Sequence, residues 1–571
     1  MLKDVYEPLS RYRDEFRARF AELTRARFAE LTKASGIDVA ANRRQVALVR
    51  RLESGLDSAR GTRRLYVFLL VLVVIAALSG LGVLFVSETL SGGAMAACVL
   101  VLLGSVPLGL GLRRKCKEAG TLVRSFEQRV AEGKSVAWNQ MAALNGLYPW
   151  DVTLWLVEQT VPRLSFDAYF TSRRLEDLRR IYGWDDAFNE GRSILGVQSG
   201  VINGNPFVFG EYLEMEWGTE TYTGSLVIEW EEEVEDDEGN VHTETRTQTL
   251  TASVEKPKPV YSRQKFVAYG NDAAPDLSFS RLPSGLEEKG VVSALKKQWR
   301  LSRLKAHSRN LTDDSDFTLM SNHEFETWFH AKDRDNEVEF RLLYTALAQT
   351  QTLALLKDRE VGFGDDFAFV KQKKVNFLFP QHLADAVIDV EADAFRDWDY
   401  DRAASKFQKV NEKFFKDVYF ALAPLLAIPL YQQTRTHEDL WRGVVGSEAC
   451  SFWEHEVSAN RFGDEAFRHP DCITENILKT ALVERTDGVS TVEVTACGYR
   501  GEDRLDYVSV FGGDGEWHEV PVEWVEYLPV ERTSPMTVAE GRSAGPGSPK
   551  RGRWARAALF RREIWSSLVR A

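Results

Sequence analysis

Two uncharged apolar runs set seven residues apart, 65–86 and 94–112, constrain what this chain can fold into more than any other feature. The first carries Leu, Val, Ile or Phe at sixteen positions. At about 1.5 Å per residue the runs reach roughly 33 Å and 28 Å as helices, enough for a bilayer core of about 30 Å. Each such side chain favours insertion by about 0.3 to 0.6 kcal/mol near the bilayer centre, so the first run gains several kcal/mol. The second holds Gly104, Ser105, Pro107, Gly109 and Gly111 and inserts more weakly by itself. Its glycines let two helix backbones approach closely. The expected element is a transmembrane helical hairpin, because both runs exceed the usual length of a soluble core helix.

Charge around the hairpin sets its expected orientation. Arg63 and Arg64 precede it, Arg113, Arg114, Lys115 and Lys117 follow it, and the connector 87–93 holds only Glu88. The positive-inside tendency then places both flanks, and with them both termini, in the cytoplasm. The first run is too long for the apolar region of a cleavable signal peptide, and some sixty residues precede it. Cys98 and Cys116 fall in or beside the runs, and Cys450, Cys472 and Cys497 are scattered, which is no disulfide framework.

The net charge of −12 hides a polarity. Residues 229–238 are almost solidly acidic, whereas the N-terminal arm, residues 289–309 and the C-terminal tail are basic. Basic segments beside a bilayer are expected to meet anionic lipid headgroups. An acidic total argues against nucleic acid as a partner.

The expected fold class is α+β: the membrane hairpin plus a cytoplasmic α+β region containing an antiparallel β-rich domain. Residues 1–64 read as an amphipathic helical arm, in which the octapeptide 17–24 repeats without change at 25–32. Residues 65–112 are the hairpin and 113–193 a helical connector. From 194 to 283 apolar residues alternate and turn signals recur, Asn203-Gly204 being the strongest. Threonines at 243, 245, 247, 249 and 251 mark one face of a second hairpin, with its tip near 236–240. Residues 284–480 read as mixed α/β and helical, beginning with a basic helix over 289–309. Residues 481–530 read as a small β-meander, and 531–571 as a flexible linker with a basic amphipathic tail. Phe560, Ile564 and Leu568 in that tail suit one stripe of an interfacial helix.

One resemblance rests on motifs in this order. After the hairpin comes the stretch 199–209, Ser-Gly-Val-Ile-Asn-Gly-Asn-Pro-Phe-Val-Phe, then 323–329, His-Glu-Phe-Glu-Thr-Trp-Phe, then 340–345, Phe-Arg-Leu-Leu-Tyr-Thr. The arrangement resembles an uncharacterised bacterial family of two-span membrane proteins with a cytoplasmic domain of unknown function. Tyr269-Gly270-Asn271 and residues 419–431 resemble related forms in mollicutes and Gram-positive bacteria. The resemblance implies a bacterial plasma membrane and this domain order, and no activity.

No motif of high specificity for catalysis is present, and no cofactor is implied. Cys450, His455, His469 and Cys472 are four zinc-competent side chains in one segment, the weak candidate for a metal site, without the compact Cys-x-x-Cys knuckle. His323, Glu326 and His330 share a helix face, but two histidines two turns apart are about 10 Å apart along the axis. Residues 362–366, Gly-Phe-Gly-Asp-Asp, lack the lysine and hydroxyl of a phosphate loop. Asp399 with Asp401, and His455 with Glu456, are acid/base pairs that chance alone supplies among 84 acidic residues. The expected function is a non-enzymatic, membrane-anchored scaffold for an unknown protein partner. The alternatives are a membrane-associated enzyme, such as a hydrolase, whose site is assembled from distant residues, and an accessory subunit of a transporter.

Overall fold

The computed structural model describes residues 7–86, 92–235, 241–286, 319–434, 449–486, 488–540, 558–561 and 564–568. The expected basic helix 289–309, the acidic tip 236–240 and the linker 541–549 lie outside them. The chain divides into two compact units, Ala21–Trp150 with Glu391–Glu412, and Met1–Phe20, Asp151–Val390 and Lys413–Ala571.

The first unit is built on helices. The octapeptide repeat lies in α1 (Arg17–Ser35). An eight-residue period drifts around a helix, and Leu31 is accordingly buried while Leu23 is only half-buried. Phe28 packs against Tyr400 and Phe407, so this part of the arm turns its apolar face to protein. Helices α2 (Val39–Val86) and α3 (Gly92–Asn145) run well beyond the apolar runs on their basic sides. They lie antiparallel. A Cβ built at Gly133 would meet Val49 at 2.8 Å, one at Gly55 would meet Phe126 at 2.9 Å, and one at Gly109 would meet Val73 at 3.8 Å. That register sets the second apolar run alongside the first.

Among the described residues one helical stretch, Val39–Ser79, is long and apolar enough to cross a membrane, and none of its apolar window is buried. Two spans are thus not shown: among the described residues the one candidate span belongs to the first apolar run. Lower down, Val49, Leu56, Ala59, Val123 and Val130 form a conventional core. The segment after Glu391 clasps it: Arg50 binds Asp399 at 2.7 Å, Arg43 binds Asp401 at 2.8 Å, and Asn145 donates to the Asp397 carbonyl at 3.0 Å.

The second unit holds two antiparallel sheets. After α4 (Val152–Thr160) come β1 (Leu164–Phe166) and α5 (Ser172–Asp177), so the expected helical connector contains a strand. Then follow β2 (Arg192–Ile202), β3 (Asn205–Glu235), β4 (Val241–Gly270) and β5 (Ser278–Arg281). Asn203 and Gly204 both take positive φ, 52° and 82°, as a tight hairpin turn needs. Helices α6 (His323–Phe329), α7 (Glu337–Leu343) and α8 (Ala346–Lys357) precede β6 (Phe367–Gln372) and β7 (Val375–Pro380). The seven strands are ordered β1-β2-β3-β4-β7-β6-β5, so the β-rich domain expected over 194–283 is completed by strands from 367–380.

Helices α9 (Tyr400–Leu426, in this unit from Lys413), α10 (Pro429–Gln433) and α11 (Phe452–Arg461) lead to the second sheet. It comprises β8 (Ile477–Thr486), β9 (Val489–Phe511), β10 (Trp517–Glu540), β11 (Ala558–Arg561) and β12 (Ile564–Leu568), ordered β11-β12-β10-β9-β8. The expected small meander is thus a long hairpin, and the tail expected as an interfacial helix forms strands where it is described. Ile564 and Leu568 are four apart, a spacing that puts them on one face of a helix or of a strand alike. Pairing with the open edge of β10 decides for the strand.

Strands β3 and β4, of 31 and 30 residues, are far longer than the usual five or six. At about 3.3 Å per residue the ribbon they form reaches roughly 100 Å. A two-stranded ribbon by itself is marginal in water. Here it is covered by a second ribbon, β9–β10: Ile228, Leu250 and Ala252 pack on Val520 and Val522, with Leu226, Trp230, Val508 and Val510 around them. Gly224 permits the approach, since a Cβ there would stand 1.9 Å from the Pro521 carbonyl oxygen. The result is a two-layer β arm.

Candidate functional site

Helix α11 lies in the core of the second unit. Trp453 and Val457 join the cluster of Ile194, Val197, Val208, Phe266 and Phe377 on the seven-stranded sheet. Ala459, with Cys450 just before the helix, joins Leu478, Val492, Val494 and Met536 on the five-stranded sheet. Between these faces run three consecutive buried ionisable residues, Glu454, His455 and Glu456. Glu454 accepts the Phe170 N–H at 2.8 Å. Glu456 accepts the Ile194 N–H at 2.9 Å, Asn189 Nδ2 at 3.2 Å and Lys479 Nζ at 3.1 Å. Burial still pushes its carboxyl up to about 7, against the pull of Lys479. Neither ring nitrogen of His455 has a hydrogen-bond partner, and burial, aided by Arg485, brings it down to about 4, so it stays neutral.

The four zinc-competent residues serve separately. Cys450 forms an isolated bridge with Thr171, and His455 sits inside α11. The Nδ1 of His469 accepts the Asp471 N–H at 3.2 Å in the loop after the helix, and the Cys472 thiol points at Asn476 Oδ1, 3.4 Å away. Among the described residues no group of three or more His, Cys, Asp or Glu gathers as metal ligands would. The His323, Glu326 and His330 face is also divided. His330 ends α6 in the left-handed region, φ 57°, while Glu326 is buried against Arg334 at 2.9 Å. Asp399 and Asp401 are the ion-pair partners of Arg50 and Arg43 described above.

Four further groups that sequence reasoning missed, Lys371, Tyr431, Arg281 and His382, have partners inside the fold. Lys371 is 1 % exposed, and its ammonium donates to the carbonyls of Ala273 and Lys373. Burial pulls it down to about 7, with Glu339 and Asp335 opposing. Tyr431 donates to Asn376 Oδ1 at 2.6 Å, and its carbonyl accepts from Asn271 and Tyr269. Arg281 pairs with Asp365 and faces the rings of Phe329 and Phe367. His382 pairs with Asp366 through Nδ1 and with the Asp417 carbonyl through Nε2, which leaves no ring nitrogen to move a proton for a substrate. No motif in the sequence marked any of these, because buried polar partners come from distant parts of the chain. Chemically, the clusters hold the sheets and helices together.

A surface hollow does form between α2 and α3, lined by Thr62, Tyr66, Lys115, Glu118, Ala119, Thr121, Leu122 and Ser125. Lys115 Nζ stands 5.8 Å from the centre of the Tyr66 ring, at the boundary between the apolar and basic parts of the helices. The hydroxyls of Thr62, Thr121 and Ser125 donate to backbone carbonyls of their own helices. No family model, curated protein or solved structure matches the chain.

Proposed function

We propose that this chain is a membrane-anchored scaffold of the bacterial plasma membrane, in which α2 and α3 cross the bilayer as a hairpin and both termini stay in the cytoplasm. The observation that carries the reading is the large apolar side chains left exposed along both helices, among them Phe68, Ile75, Leu78, Leu100, Leu103 and Val106. Water would penalise each of them, whereas acyl chains would not. The arginines and lysines at the basic ends of the hairpin then meet anionic headgroups, and Tyr66 with Lys115 occupies the headgroup level. The β-rich unit presents its surface to a protein partner. Glu456, Lys371, Tyr431 and Asp365 of that unit are engaged with partners inside the fold, which favours a scaffold over an enzyme.

Deleting residues 65–112 is the test. Loss of the protein from alkali-washed membranes supports the hairpin, and retention there refutes it. Reporter fusions at either terminus that read as external refute the orientation.

A further inference from the structure

We infer that the outer face of the β9–β10 ribbon is a docking surface for an arginine-rich protein segment that also carries apolar side chains. The proposal rests on the scaffold reading and names the face and the chemistry of its partner. The β arm has two outer faces, and they differ. On the β3–β4 ribbon Glu229, Glu231 and Glu233 stand opposite Thr247, Thr245 and Thr243, a polar ladder that water solvates. On the β9–β10 ribbon the outward positions are Leu505, Tyr507 and Phe511, opposite Glu523, Pro521 and Trp517.

These large side chains are open to solvent: Trp517 is 70 % exposed, Tyr507 62 %, Phe511 56 % and Leu505 47 %. Phe511 and Trp517 already pack edge to face, with ring centres 5.5 Å apart. Phe511 with Trp517, and Tyr507 with Leu505 beyond the Ser509–Glu519 pair, are exposed apolar patches on one face, and such patches mark an interaction face.

Charge chooses the occupant. Residues 505–523 of this ribbon carry five Asp and Glu and no Lys or Arg, and of the five Asp506 is paired with Lys256. A second copy of the arm would be repelled, and so would an anionic lipid surface. A guanidinium gains twice here, by stacking on Trp517 or Tyr507 and by pairing with Glu519 or Glu523. Addition of a partner strand at the ribbon edge is disfavoured. Pro521, Pro529 and Pro535 share one parity on β10, as Pro257 and Pro259 do on β4, which removes N–H donors where the open edge needs them. Recognition then runs through side chains on the face.

The test uses the full chain in detergent and a labelled twelve-residue peptide alternating Arg and Leu, followed by fluorescence anisotropy at physiological salt. The expected result is saturable binding that weakens about tenfold or more in Tyr507→Ser/Trp517→Ser, which leaves net charge unchanged. The opposite-face variant Glu231→Lys/Glu233→Lys is expected to bind within about twofold of the native chain. Equal weakening by both variants overturns the proposal, because general acidity would then suffice. Unchanged binding in the aromatic variant overturns it too, as does a dimer or vesicle association that Trp517→Ser abolishes. Membrane attachment is read separately by fractionation, so failure of the anchor and failure of this face are distinguishable.

Discussion

Replacing Glu456 by Gln isolates one buried charge whose cost varies with pH. In the native protein this carboxyl titrates near 7, against an ordinary 4.5, because α11 is enclosed between two sheets. Between those values the folded chain keeps a proton that the unfolded chain has released, so this group's contribution to stability falls as pH rises. From pH 5 to 7 the loss comes to about 2 kcal/mol, and it is about 3 kcal/mol over the whole window. His455 works in the opposite sense. Its imidazole is neutral above about 4 in the fold and above 6.5 when unfolded, so its contribution rises with pH between those limits. The neighbours largely cancel in the native chain. Glutamine keeps an acceptor for the Ile194 N–H and cannot ionise, which leaves the histidine slope uncovered. Urea unfolding, followed by fluorescence of the core tryptophans Trp184 and Trp453, should show Glu456→Gln gaining about 2 kcal/mol on the native chain between pH 5 and 7. A stability difference that is flat across that range would refute the burial argument, since Glu456 would then ionise as an ordinary carboxylate.

Other perturbations test the remaining layers. Gly224→Ala drives a methyl into the Pro521 carbonyl, so the two ribbons should separate at a cost of about 1 to 3 kcal/mol, seen as faster hydrogen exchange in β3 and β10. Arg281→Met leaves Asp365 buried without its cation and should cost about 3 to 5 kcal/mol in denaturant unfolding, with most of the loss recovered in Arg281→Met/Asp365→Leu. Gly133→Ala presses on Val49 between α2 and α3 and should lower the thermal midpoint of the helical unit, whereas Gly61→Ala, with open space around it, should not.

Legibility in the sequence followed the range of the interactions. Asn203-Gly204 was readable because a positive φ is a local demand, and the threonine alternation over 243–251 was readable because strand period is local too. The zinc-competent spacing of Cys450, His455, His469 and Cys472 counts residues along the chain, while a metal counts distances in space, and the four are held by separate parts of the fold. The C-terminal strands were hidden because Phe560, Ile564 and Leu568 satisfy both periods, and only the vacant edge of β10 chose between them.

The sequence by itself determined the apolar runs, the basic flanks, the hairpin turns and the pooling of acid near residues 229–238. Each of these is a sum over neighbours in the chain. Tertiary structure alone decided that α11 would carry three buried ionisable residues between two sheets, and that β3–β4 would find a second ribbon to cover it. Those outcomes depend on surfaces hundreds of residues apart excluding the same water, and no local window of the sequence contains both sides of such a contact.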